Sequence, residues 1–564
     1  MIEQLKNLWA EKKYRILFYA ILLAALVMRL MMFLGPLEFD EIWSLGYVDK
    51  PVGTILTDLA TPNNHPLNSL FMKMWLSCPE IAALPQLTRL HSLVFGMFSV
   101  ALTGMLALGL FRSRAAALLS MVFIAFDAAA VYYSDQARGY STQLFFLLCF
   151  ANGLVWSGRL RKFLPWKYLP EAAIVLGALG AVLSVPTAPI FLGAMVIAGK
   201  LCRRKIPESS VLIAVGVAAA LVAGYLGINQ AALREAQEKF GTRFTDFSQW
   251  LGFLFMILQD FFALAVVPFL LVLLATDRKR GMLLGLCALV IVGSCAPLLP
   301  GMKALVGAGP SRVYLPICVL VALGAGRGAH ALMTTALCSN NRRLVKILAV
   351  TTLFLAGFGC FQLYGTWHIV DYYGWLKAGQ SMPPEHLLVY PATSSYPLWW
   401  NSDRKQLEQD LTARMTFDDG GGTRKLLCFG IDQGHINGSN PNAKDGSMPQ
   451  EDRKLPVKGT PKMLNGFPAV EYKLYPAPEP RAEEAFIVVL PPNAGARTAF
   501  QALRDAECDL LMLNPHFPLV MLYAKAPAAV PAGLWQNVRD CGARIYAFEP
   551  PAPAAEKPQP DAKP

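Results

Sequence analysis

Charge is what this sequence has least of. Only 16% of its 564 residues are Asp, Glu, Lys or Arg, while 54% are hydrophobic, a balance that excludes an ordinary soluble protein. Acidic residues are scarcest early in the chain. Residues 1–366 hold 17 Asp+Glu against 31 Lys+Arg, whereas residues 367–564 hold 22 against 20. The net charge of +12 therefore comes from the apolar part, where basic residues mark topology, and a nucleic-acid patch is not its source. The 11 cysteines show no metal-ligand spacing, and most read as small apolar residues of apolar runs. Tandem repeats are absent. No small-residue cleavage site separates the first apolar run from Asp40, and that run is too long for a signal peptide.

What is present is a series of apolar blocks of about 18–25 residues, the length that crosses a bilayer core as helix. Eleven spans are expected, near 14–35, 88–111, 115–134, 140–158, 169–185, 186–200, 209–228, 251–275, 281–299, 313–335 and 344–366. Basic clusters fall at every second connection: Lys12, Lys13 and Arg15; Arg112 and Arg114; Arg159, Arg161 and Lys162; Arg203, Arg204 and Lys205; Arg278, Lys279 and Arg280; Arg342 and Arg343. The excess of Lys and Arg in cytoplasmic loops puts these segments, and the N-terminus, inside. An odd number of spans then exports the C-terminal part.

Residues 36–87 form a long outside loop. Its apolar stretches at 42–48 and 67–77 are too short to span and read as interfacial helices, with Trp43, Tyr47, Phe71 and Trp75 at headgroup level. A second outside loop covers about 229–250, and a third, 300–312, is rich in Gly and Pro and could move. Beyond 366, runs at 386–390, 425–429 and 485–490 read as buried strands and 497–507 and 534–541 as helices. The expectation is an exported α/β domain over 367–550. Within it, 431–465 is expected to be loop, and a disulfide between Cys508 and Cys541 is open. Residues 551–564 are a Pro/Ala/Lys tail with nothing to bury.

Polar clusters gather at outside ends of different spans. Asp40 and Glu41 follow the first, His65 lies in the first loop, Ser134-Asp135-Gln136-Ala137-Arg138-Gly139-Tyr140 joins the third and fourth, and Arg312-Val313-Tyr314 opens the tenth. Carboxylates suit proton acceptance from a hydroxyl or a divalent cation; an Arg suits phosphate, or it snorkels at a helix end. Isolated charge inside spans is costly, so Arg29, Asp127 and Asp260 pair internally or line a cavity, and Arg89 caps the second span.

In order, Phe39-Asp40-Glu41, Asn64-His65-Pro66-Leu67, Arg89-Leu90-His91-Ser92, Tyr133–Tyr140 and Arg312-Val313-Tyr314-Leu315-Pro316 resemble motifs of bacterial GT-C glycosyltransferases, of the protein O-mannosyltransferase-like and lipid A aminoarabinose transferase-like group. The resemblance covers about the first 390 residues. One departure is His65-Pro66-Leu67 where the family often has His-Pro-Pro. The resemblance implies a polytopic helical enzyme of the bacterial cytoplasmic membrane that transfers a sugar, with inversion, from a polyprenyl-phosphate donor to a hydroxyl on the outer face. It makes Asp40 the general base and has Glu41 orient the acceptor or Asp40, with His65, Asp135, Arg138, Tyr140, Arg312 and Tyr314 binding donor phosphate or substrate. It implies no required cofactor; a divalent cation stays open, and no metal ligands are assigned. The partners implied are membrane lipid, a polyprenyl-linked sugar (hexosyl or pentosyl) and a glycan, lipid or protein acceptor. Two rivals remain at this stage. A flippase of lipid-linked sugars would need polar residues at mid-membrane and broken helices in matching halves, and an envelope assembly protein would work through its C-terminal domain.

Overall fold

The computed structural model describes residues 12–31, 33, 37–60, 64–79, 84–160, 168–202, 209–240, 248, 267–295, 311–338, 372–391, 398–399, 402–416, 423–430, 434–442, 450–464, 467–490, 494–515, 517 and 520–549. The chain divides into two compact units near residue 370.

The first unit is helical. In chain order it contains α1 (Lys12–Leu30), α2 (Phe39–Leu45), α3 (Val52–Thr57), α4 (Pro66–Leu76), a 3-10 turn at Pro85–Arg89, α5 (Leu90–Phe111), α6 (Arg114–Ala125), α7 (Ala128–Ser134) and α8 (Gly139–Leu160). There follow α9 (Leu169–Ser184), α10 (Ala188–Cys202), α11 (Ser209–Ile228), α12 (Gln230–Phe240), α13 (Val267–Thr276), α14 (Arg278–Cys295), a 3-10 turn at Ser311–Tyr314 and α15 (Ile317–Cys338). Local chemistry sets the boundaries. Pro66 opens α4 at a position where its missing N–H costs nothing. Ser113 and Asp127 cap α6 and α7, accepting from Ala116 and Ala130 amides at 3.3 and 2.8 Å. The Asp127 cap falls in the middle of the expected third span and breaks it by 62°.

α8 packs against α5 and α9, and α6 against α15. Where α8 and α9 cross, the backbones come close enough that a Cβ on Gly177 would lie 2.7 Å from the Phe150 amide nitrogen. Such small-residue contacts replace hydrophobic driving force when the solvent is itself apolar.

Among the described residues three helices are long and apolar enough to cross a membrane, Gln86–Phe111, Ser209–Ile228 and Ile317–Thr335, or four if the bent pair α6–α7 is one span. The expected eleven is not established. The span at 344–366 and most of that at 251–275 lie outside the described residues. The pair at 169–200 forms helices of 16 and 15 residues, short for a bilayer core. The 42–48 and 67–77 stretches are helical in large part, as α2 and α4, but Tyr47 is buried and Phe71 stacks on His91 at 5.3 Å. Those rings pack inside the unit, while Trp43 stays exposed. Residues 300–310 of the third loop, like Asp260 and the 551–564 tail, lie outside the described residues. The second loop carries a helix, α12.

The second unit contains α16 (Tyr372–Gln380), β1 (His386–Val389), α17 (Arg404–Thr416), β2 (Arg424–Phe429), β3 (His435–Ser439), β4 (Gln450–Lys454), β5 (Thr460–Leu464), β6 (Phe467–Pro476), β7 (Ala485–Val489), α18 (Ala494–Asp505), β8 (Asp509–Leu513), β9 (Met521–Lys525), α19 (Leu534–Asp540) and β10 (Arg544–Ala547). Its ten-stranded sheet runs β1-β2-β6-β10-β7-β9-β8-β3-β4, with β5 on β6. Helices and strands both occur, as expected of an α/β domain, and among the described strands only β1 and β2 pair in parallel, so the sheet is mainly antiparallel. The 431–465 segment, expected to be loop, carries three strands among its described residues. β4 reads Gln-Glu-Asp-Arg-Lys and pairs with β3 through its backbone, a polar edge of the kind that hydropathy overlooks. Cys508 and Cys541 are both free thiols, Cys508 buried beside Leu503 and Trp535; no disulfide joins them.

Candidate active site

The turn between α7 and α8 organises the site, and four separate elements hold it. Glu41, on the first turn of α2, is completely buried and its Oε1 accepts the Ala137 amide at 2.7 Å. Asn68 of α4 donates to the Ala137 carbonyl at 3.1 Å, and its Oδ1 meets His91 Nε2 at 2.6 Å. The Ser92 hydroxyl donates to the Arg138 carbonyl at 3.3 Å. Arg29, buried in α1, donates Nε to the Ser134 hydroxyl at 3.2 Å and Nη1 to the Ala125 carbonyl at 3.1 Å.

Glu41 itself is neutralised by Arg89, which donates Nε to Oε1 at 2.8 Å and Nη2 to Oε2 at 2.6 Å. The same guanidinium donates Nη1 to the Phe33 carbonyl at 2.9 Å. This bidentate pair, at 4% and 0% side-chain exposure, is a buried structural brace. Adjacent in sequence, Asp40 and Glu41 therefore serve different partners: Glu41 holds the turn, and Asp40 meets what the turn presents.

Asp40 accepts both arginines. Its Oδ2 pairs with Arg138 Nη1 and, at 2.5 Å, with Arg312 Nη1. Asp40 and Arg312 are a quarter exposed, while Arg138 is 2% exposed. Arg138 is fixed further by His65 and Tyr140. His65 Nδ1 lies 3.1 Å from the Ser184 carbonyl, which can only accept, so Nδ1 carries the proton. Nε2 is then a bare acceptor for Arg138 Nη2 at 3.3 Å. Burial, helped by Arg138 and Arg312, keeps the His65 pKa well below its usual value, so His65 is neutral. The Tyr140 ring meets His65 edge-on at 4.9 Å and lies 5.3 Å from the Arg138 guanidinium. Gly139 is required here: a Cβ would collide with the Ser184 carbonyl and lie 2.9 Å from His65 Cβ.

Burial alone would raise the Asp40 pKa, but Arg138 and Arg312 outweigh it and hold the carboxyl below its usual range. Burial likewise works against the Arg138 charge, and Tyr140 and Asp40 overcome it, so its pKa rises. Asp135 is the opposite case. It is 5% exposed, and neither carboxyl oxygen has a hydrogen-bond partner. Burial, opposed by Arg29 and Arg89 and reinforced by Glu41, pushes its pKa up to about 8. Asp135 is thus a neutral acid near pH 7 and not a counter-ion of the arginines. Tyr314 is fully buried beyond Arg312.

The structure brings Asp40, His65, Arg138, Tyr140 and Arg312 together. It turns Glu41 away to Arg89 and leaves Asp135 protonated on the same turn. Among the described residues no three His, Cys, Asp or Glu side chains form a metal cluster. Sequence reasoning missed Arg89, Asn68 and Ser92 as holders of the turn. Arg89 alone had a signal, as a charge bordering an apolar span that needs a partner.

No family model matches the chain, and no curated protein does. Among solved structures it is similar to ArnT from Cupriavidus metallidurans in the apo state, at 12% identity and a TM-score of 0.44 over 75% of this chain and 94% of that one. It is also similar to ArnT from Cupriavidus metallidurans bound to undecaprenyl phosphate, at 11% identity and a TM-score of 0.43 over 82% and 98%.

Proposed function

We propose that the chain is an inverting GT-C-type glycosyltransferase of the bacterial cytoplasmic membrane, moving a hexosyl or pentosyl group from a polyprenyl phosphate to an acceptor hydroxyl on the outer face. One observation carries this reading: a partly exposed carboxylate, Asp40, sits at the meeting point of two guanidiniums, one of them buried and braced. In the reaction, the acceptor oxygen attacks the anomeric carbon from the face opposite the phosphate and gives its proton to Asp40. The bond from that carbon to the phosphate oxygen breaks, and its electron pair leaves with the polyprenyl phosphate. Arg138 and Arg312 neutralise the charge that builds there. Backside attack inverts the configuration.

Two guanidiniums supply the charge that a divalent cation would otherwise bring, so no cofactor enters the reaction as written. A chelator should leave turnover unchanged. An apolar cavity of about 370 Å³ supports a lipid-linked donor. It is lined by Leu106, Leu147, Leu148, Leu284 and Leu323 and extends from Pro316, two residues beyond the turn that carries Arg312, to Arg112 and Arg280 at the expected cytoplasmic ends of α5 and α14. Glu41 is a positioning residue in this scheme, and His65 orients Arg138 without carrying charge. The acceptor is a glycan, lipid or protein hydroxyl.

The test is sugar release from a polyprenyl-phosphate donor by the purified full-length protein in detergent. Arg138→Lys keeps the charge but loses the planar fork, so donor use should fall while insertion persists. Unchanged donor affinity in both Arg138→Lys and Arg138→Ala would remove the phosphate role and the reading with it.

A further inference from the structure

The apolar cavity has a depth as well as a volume. Along α8 its lining runs from Leu144 to Val155, about 16 Å at 1.5 Å per residue. That is about half of a ~30 Å hydrocarbon core, the depth of one leaflet. At about 370 Å³ it stands at the low end of ligand pockets, with room for one acyl chain.

The end at Val155 is cationic. Val155 packs beside Gly109, one turn before Arg112, and both Arg112 and Arg280 line the cavity. The Arg280 guanidinium lies 5.9 Å from the Phe111 ring. Carboxylates are too few to balance this end. Asp277 is shared, pairing with Arg280 at 2.5 Å and with Arg327 at 3.3 Å. Among the described residues no carboxylate pairs with Arg112. Three guanidiniums therefore share one negative charge. Arg112 also has a backbone that suits glycine better. It is the C-cap of α5 at φ 54° and ψ 31°, in the left-handed region where a side chain is disfavoured. An arginine held in such a conformation points to a task for its side chain.

We propose that the cavity seats one anionic diacyl phospholipid from the leaflet at its Arg112 end. The phosphate pairs with Arg112 and Arg280, and one acyl chain fills the apolar lining. Basic pockets between helices on the cytoplasmic side, where this end is expected, hold anionic headgroups in the same manner. The sugar donor's phosphate belongs at the opposite end, beside Arg312, so the two lipids enter from opposite leaflets. The phospholipid limits how deep the donor's tail can reach from the Pro316 end. Its site does not depend on the glycosyltransferase reading.

The experiment titrates the full-length protein in detergent with phosphatidylglycerol or phosphatidylcholine, following binding by native mass spectrometry and melting midpoints. Wild type should bind phosphatidylglycerol at least about fivefold more tightly than phosphatidylcholine, with a correspondingly larger rise in midpoint. Arg112→Gly gives the cap the residue that its backbone favours, so the lipid-free midpoint should not fall. The variant should nonetheless lose most of the preference for phosphatidylglycerol, and so should Arg280→Gln. Leu320→Trp fills the lining and keeps both arginines, and it should weaken phosphatidylglycerol binding. Equal binding of the two lipids by wild type overturns the proposal. So does a preference that survives in both Arg112→Gly and Arg280→Gln. Unchanged binding by Leu320→Trp would put the lipid outside the cavity and overturn it as well. A midpoint rise reproduced by inorganic phosphate at the same concentration would mean a site for free anions, again against the proposal.

Discussion

A carboxyl group buried without a hydrogen-bond partner, as Asp135 is, makes stability depend on pH in a definite direction. Unfolded, it titrates near the ordinary value of about 4; folded, burial moves it to about 8. The folded state therefore holds a proton that the unfolded state releases. Its contribution is fully present below about pH 4 and is lost as pH rises towards about 8. Asp135→Asn should match wild type in melting midpoint near pH 5 more closely than at pH 8, where the variant should be the more stable. An equal gap at both pH values would show that Asp135 is charged in the folded protein. Gly139→Ala should cut turnover by disturbing His65 and Arg138, as its side chain has no room beside the Ser184 carbonyl. At this scale the sequence was informative about which residues matter and less so about their protonation. Asp40, Arg138 and Arg312 stood at the ends of apolar runs, where charge is conspicuous. That Glu41 would be buried and Asp135 neutral depends on which way each side chain turns, and neighbours distant in sequence decide that.

At the scale of elements, the α7–α8 turn is held by contacts reaching back to α1, α2, α4 and the start of α5. Behind the Glu41 contact stands the buried bidentate Glu41–Arg89 pair. Breaking it from one side leaves a buried charge uncompensated, at a cost of about 3–5 kcal/mol. Glu41→Gln and Arg89→Ala should each lower the melting midpoint sharply, and the double variant should lose much less than the sum of the two. Additive losses would mean that the two side chains act independently. Asn68 and Ser92 lay within or next to the motif residues, but nothing in their spacing said that they would clasp one turn. The break at Asp127 was equally hidden: an apolar run continues through it, and only the N-cap chemistry of Asp marks the bend.

For the whole molecule, the apolar runs and the alternation of basic clusters gave the helical character of the first unit in advance, and helices stand where most runs were placed. The second unit was less legible. Strands with buried apolar cores, β1, β2 and β7, were visible in the sequence. β3, β4 and β5 were not, because their pairing is a property of the backbone and most of their side chains are polar or exposed, Ile436 of β3 being the buried apolar exception. Orientation is testable directly: accessibility tags at Arg161 and Lys279 should report the cytoplasm, and one at Asn437 the outside. A cytoplasmic Asn437 would break the odd-span topology.

The account depends most on Asp40 as the base. The direct measurement is turnover of a polyprenyl-phosphate sugar by purified Asp40→Asn, with insertion confirmed and donor binding measured alongside. The substitution keeps the shape of the side chain and removes its ability to accept a proton. The account predicts that turnover falls by about 10²-fold or more while the donor still binds. Near wild-type turnover in correctly inserted Asp40→Asn would contradict it.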